Sequence, residues 1–100
     1  MRKDSRLFEE NKETIKTQIE TLIEDMVVDL SFAYYESKPE NWRMYGGEDI
    51  LKMLFEEGER YFLVYYKSKK NEGWLCSTTY AIVDSSNFSV IEIFSANDEG

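Results

Sequence analysis

Between Asp4 and Lys38 the chain has no Gly or Pro, and Phe8, Ile15, Ile19, Leu22, Ile23, Met26, Leu30 and Ala33 recur at the spacing of one helical face. The spacing predicts one long helix over about Ser5 to Ser37, capped by Asp4 or Ser5 and stopped by Pro39, which restricts Lys38 and lacks a donor. Its first part, Leu7 to Glu24, is amphipathic. In the second, MVVDLSFAYY, the residues Val28, Phe32 and Tyr35 lie opposite the stripe, so this half must be buried on both sides. Such a helix would be roughly 45 Å long against about 25–30 Å for the strands that follow, so its first turns overhang the sheet or pack on a second chain.

After Pro39, PENWRMYGG reads as a short helix ending at Gly46. A second short helix opens at Glu48 and Asp49, carries Ile50, Leu51, Leu54 and Phe55 on its apolar side, and closes at Gly58. From residue 60 the period changes to two. Arg60–Ser68, Trp74–Val83 and Phe88–Ser95 read as three strands of a β-meander joined by KKNEG and DSSN turns. The simplest registers gather Phe62, Val64, Tyr66, Cys76, Thr78, Tyr80, Ile82, Ile91 and Ile93 on one face. Tyr61, Leu63, Tyr65, Ala81, Val83, Phe88, Val90 and Phe94 fall on the other, so both faces demand cover. The expected fold is therefore α+β: one long and two short helices packed on a three-stranded antiparallel meander, in the order α-α-α-β-β-β. With 100 residues, no repeat and no linker-like tract, residues 1–100 read as a single domain.

Charge and composition narrow the function. Twenty Asp and Glu against twelve Lys and Arg give −8, and 42% hydrophobic residues supply enough apolar surface for folding. Residues 1–60 carry fifteen acids against nine bases, so the negative field belongs mainly to the helical part. A net charge of this sign disfavours direct nucleic-acid or anionic-membrane binding and favours basic protein surfaces. The chain has no His, which removes imidazole acid/base chemistry, His metal ligation and the common triads, so no enzymatic activity is expected. The lone Cys76 permits no internal disulfide and lacks an activating His. With the charged N-terminus and the absence of a 20-residue apolar run, this places the expected site of action in the cytoplasm.

Carboxylates are the remaining candidates for chemistry. Glu20 with Glu24, and Asp25 with Asp29, have i,i+4 spacing that could hold a divalent ion, but solvated acids explain them better, and no metal or other cofactor is expected. Glu92 interrupts FSVIEIF on the side assigned to Val90 and Phe94, and would serve as a general acid or base if that face lined an apolar pocket. Lys67, Lys69 and Lys70 form a basic hairpin tip best read as a solvated turn. Helices before a meander, with YGGEDILKMLF between, resemble the cone-shaped pocket folds of the nuclear transport factor 2 type, and no site residue follows from that resemblance.

The leading expectation is a non-enzymatic, acidic interaction protein. Glu10, Glu13, Glu20 and Glu24, with Glu9 beside them, would share one helix face and meet a basic surface. Trp42, Arg43 and Tyr45, bounded by Pro39 and Gly46-Gly47, have the composition of an interface anchor. In its sharpest form the protein inhibits a nucleic-acid-handling enzyme by presenting carboxylates where phosphates would lie. Phage anti-defence proteins, DNA mimics, antitoxins and immunity proteins are of this type, and a composition rich in Lys, Glu, Ile, Tyr and Phe suits the AT-rich genomes of phages and Firmicutes. The alternative is a small pocket protein binding an apolar ligand on the second sheet face, with Glu92 inside. A homodimer through Val28, Phe32 and Tyr35, or through that sheet face, is compatible with the first reading.

Overall fold

The computed structural model describes residues 5–33, 43–44, 48–57, 60–70 and 78–97. The order is α1 (Ser5–Glu10), α2 (Lys12–Ile23), β1 (Val27–Ala33), β2 (Arg43–Met44), α3 (Glu48–Phe55), β3 (Tyr61–Ser68), β4 (Thr78–Asp84) and β5 (Val90–Asn97). The strands form one antiparallel sheet in the order β1-β3-β4-β5-β2, four long strands and a two-residue fifth.

This corrects the expected architecture. The 5–37 helix is interrupted at Asn11, whose backbone (φ −113°, ψ 13°) leaves the helix while its side-chain amide donates to Leu7 O at 2.9 Å. It ends at Ile23. Glu24 turns into the left-handed region (φ 55°, ψ 44°), with its own N–H and that of Asp25 on Glu20 O, which closes the last turn as a glycine normally would. The conformation costs a residue with a Cβ about 1 kcal/mol. Residues 27–33 are then a strand. VVDLSFA is β-branched and aromatic, and the apolar-all-round character taken for a doubly buried helix belongs to an extended segment beside β3. The three-stranded meander is thus flanked on both sides. β1 adds to β3, and Arg43–Met44, expected in a short helix, pair with Asn97 and Ala96.

Register decides what each sheet face carries. Leu63 pairs with Ile82 and Tyr65 with Tyr80, so Tyr80 and Ile82 sit with Leu63 and Tyr65, one residue out of step with the simplest hairpin. On β5 the pairing passes from Ile82–Glu92 to Val83–Val90, leaving Ile91 as the bulge residue; Val90 and Ile93 therefore share a face, and Glu92 lies with Phe94.

Two cores result. On one face Phe8, Ile15 and Ile19 of α1 and α2 pack with Val27, Leu30, Phe62, Val64, Tyr66, Ala81 and Val83. A file of rings crosses this core, Phe8 to Phe32 (5.9 Å), Phe32 to Phe62 (5.7 Å) and Phe62 to Phe88 (6.0 Å). On the other face α3 brings Leu54, with Ile50, Met53 and Phe55, onto Tyr61, Leu63, Tyr80, Ile82, Phe94 and Ala96.

Gln18 locks α2 over the β4–β5 turn. Its amide nitrogen donates to Phe88 O at 2.7 Å, and its amide oxygen accepts from Val90 N–H at 2.9 Å. These two bonds supply the pairing a neighbouring strand would have given. Ile19→Ala should cost about 2–5 kcal/mol in denaturant unfolding, and Gln18→Ala about 1–3 kcal/mol because it leaves a half-buried carbonyl and N–H unpaired. Leu22→Ala, on the exposed side of α2, should stay within about 0.5 kcal/mol.

Candidate functional site

The helix face assigned to a basic partner divides in two. Glu9 and Glu10 on α1 and Glu13 on α2 are exposed, while Phe8, Ile15 and Ile19 hold the opposite side in the core. Their carboxylates face water at the N-terminal end of the helical layer. Because Asn11 breaks the helix, they do not continue as one straight acidic ridge toward Glu20 and Glu24.

Glu20 is committed within the fold. Its Oε2 accepts from Val27 N–H at 2.9 Å and from Lys16 Nζ at 3.3 Å. The Val27 bond is the main reason its pKa lies below the usual glutamate value. Glu24 is exposed at the left-handed corner that follows α2. Beside it, Asp25 Oδ2 accepts from Lys70 N–H at 2.8 Å, and Lys69 N–H donates to Met26 O at 2.8 Å. The Lys70 bond lowers the Asp25 pKa most, with smaller help from Met26 N–H, the Ser68 hydroxyl and the Lys70 charge. The hairpin tip bearing Lys67, Lys69 and Lys70 is thereby tied to the α2–β1 corner. Sequence reading did not bring this tip to Asp25, since the bonded residues are 45 positions apart and neither segment carries a local sign of the other.

The carboxylate pairs do not form ion sites. Asp25 and Asp29 are not i,i+4 on a helix, because the helix has already ended, and Glu20 Oε2 is occupied by Val27 N–H and Lys16. Among the described residues no group of three or more His, Cys, Asp or Glu converges. Glu92 is exposed on the face α3 helps to cover, without the enclosure an acid/base group in an apolar pocket requires.

The dimer side expected at Val28, Phe32 and Tyr35 is not a helix face where it is described, since Val27–Ala33 is a strand. Val28 is an exposed residue at a bulge of β1, whereas Phe32 packs between Phe8 and Phe62. The second sheet face, the other dimer surface expected, carries α3. Tyr35, Trp42, Tyr45 and Cys76 lie outside the described residues; Arg43 is placed by its backbone in β2. Among the described residues no helix is long and apolar enough to cross a membrane.

Glu20, Asp25 and Asp84 all have depressed values, the last through Ser86, whose hydroxyl and N–H bind its Oδ1. A carboxylate whose folded pKa lies below its unfolded one contributes stability above the unfolded value and loses it as pH falls through the folded one. Stability to urea should therefore hold at neutral pH and fall once pH drops below the ordinary values, 4.5 for Glu20 and 3.8 for the two aspartates. Glu20→Gln/Asp25→Asn should flatten that acid limb in urea titrations monitored by circular dichroism.

Comparison of the chain with family models, curated proteins and solved structures found no match, so the resemblance carried by YGGEDILKMLF gains no support and contributes no residue to the site.

Proposed function

We propose that this chain is a small acidic interaction protein whose Glu9, Glu10 and Glu13 meet a basic surface on another protein. The observation that carries this reading is the exposure of the three carboxylates on helices whose opposite side is fixed in the core by Phe8, Ile15 and Ile19. Rigid elements hold the charges in place before a partner arrives, so little ordering cost is met on binding. The overall charge of −8 supplies the long-range attraction, which steers encounter with a cationic patch and repels phosphate backbones.

Glu20 and Glu24 are removed from the expected contact set. The first is engaged by Lys16 and Val27, and the second stands at the left-handed corner beyond the far end of α2 from Glu13. Inhibition of a nucleic-acid-handling protein is the particular form we favour: exposed helical carboxylates on a chain of −8 present the charge such a protein's basic groove is built to accept.

The test is capture with the native chain as bait at low ionic strength, with Glu9→Gln/Glu10→Gln/Glu13→Gln as control. The native chain should retain basic proteins that elute as salt rises. The triple variant should associate roughly tenfold more slowly with the captured partner, while unfolding at the same urea concentration. Retention of the same partner by native and variant chains with equal rate and salt dependence would refute the assignment.

A further inference from the structure

The first residues of β5 have two ways to pair with β4. From Thr78–Ala96 to Ile82–Glu92 the ladder runs without interruption, and it then steps to Val83–Val90, leaving Ile91 as the bulge residue. Continued without the step, the same ladder would set Ile91 opposite Val83 and Val90 opposite Asp84. The pairing from Glu92 onward is common to both forms. β4 is fixed independently of the choice: Asp84 pairs with Tyr61, and the N–H and hydroxyl of Ser85 both donate to Arg60 O, at 3.0 and 2.7 Å.

For the side chains of the hairpin alone, the uninterrupted ladder is the better one. Ile91 is 40% exposed at the bulge. Opposite Val83 it would join the face of Ala81 and Ile93 and take the place Val90 now holds against the α1–α2 core. The local break that a bulge makes in the ladder would close as well. What favours the observed register comes from outside the hairpin. Gln18 of α2 donates to Phe88 O at 2.7 Å and accepts from Val90 N–H at 2.9 Å, and the Phe88 ring stacks on Phe62. A slip of one residue turns Val90 to the opposite face of the sheet and takes its N–H away from Gln18.

We infer that Gln18 is a register latch. Docking of α2 selects the bulged pairing of Val83 with Val90, and loss of the two Gln18 bonds lets the start of β5 slide by one position, with Ile91 replacing Val90 beside Val83. The two forms differ at one end of one hairpin, where side chains of similar size compete for a single place, so the element has two discrete arrangements. The stability lost with Gln18 is then the difference between the two registers. The pairing at this turn follows the seating of the helical layer that carries Glu9, Glu10 and Glu13, whatever those carboxylates bind.

The test is the full chain carrying Gln18→Met, which keeps an unbranched side chain and removes both bonds. Nuclear magnetic resonance should show cross-strand proton contacts of Val83 with Val90 in the native chain and of Val83 with Ile91 in the variant, the ratio of the two forms changing at least roughly tenfold. Ile91→Glu suits the exposed bulge position but would bury a charge in the slid form. Gln18→Met/Ile91→Glu should therefore recover the Val83–Val90 contacts, a rescue that general destabilisation cannot imitate. Native contacts retained in Gln18→Met, or absent from the double variant, would overturn the inference. So would loss of folding in Gln18→Met, because a latch confined to one turn leaves the rest of the core in place.

Discussion

Two adjacent strands, β3 and β4, carry apolar side chains on both faces, and every other element answers to that constraint. Phe62, Val64, Tyr66, Ala81 and Val83 face one way, and Tyr61, Leu63, Tyr80 and Ile82 the other. No antiparallel sheet can present both sets to water, so helices must be found for each side. The N-terminal pair α1 and α2 serves the first set and α3 the second. Neither helical layer is long. Their apolar stripes are set by the width of sheet to be covered, which is why α2 can stop at Ile23 and give its following residues to the sheet.

That division explains which parts of the fold were legible. Period-two alternation after residue 60 announced β3, β4 and β5, and the charges at Glu48 and Asp49 marked α3, because each signal is local and is read within a few residues. The end of α2 carried no such signal. A helix commonly stops at glycine; here Glu24 takes the left-handed turn, held by the carbonyl and carboxylate of Glu20 and tied through Asp25 to a residue 45 positions away. With no stop visible, Val27–Ala33 inherited the helical reading, although its β-branched and aromatic residues suit a strand at least as well. The register errors on β4 and β5 have a similar origin: β4 pairs with β3 one residue out of step with the simplest hairpin, and a bulge at Ile91 shifts the start of β5 by one more, each set by a partner on another strand.

The functional surface was legible in sign and only partly in place. Composition alone gives an acidic molecule, and helical spacing puts Glu9, Glu10 and Glu13 away from the core. The fate of Glu20 and Glu24 depends on where the helix stops, which places Val27 N–H on the Glu20 carboxylate and Glu24 in the left-handed turn. The Glu20 carboxylate has become the fastening of a chain reversal, and Glu24 takes the left-handed turn of that same reversal. Charge counting treats every acid alike, whereas the fold separates those that fasten the backbone from those left to face another molecule.

The bonds of Gln18 to Phe88 and Val90 also bear on how the chain reaches its folded state. They join positions 70 and 72 residues apart, and the core that receives Ile15 and Ile19 is built largely from β3 and β4. During synthesis from the N-terminus the helical segment is therefore complete long before anything exists for its stripe to rest on. Closure of so long a loop delays docking until the last hairpin has emerged. Throughout that interval Phe8, Ile15 and Ile19 remain open to other molecules, and the acids around them help to keep the unfinished chain dispersed.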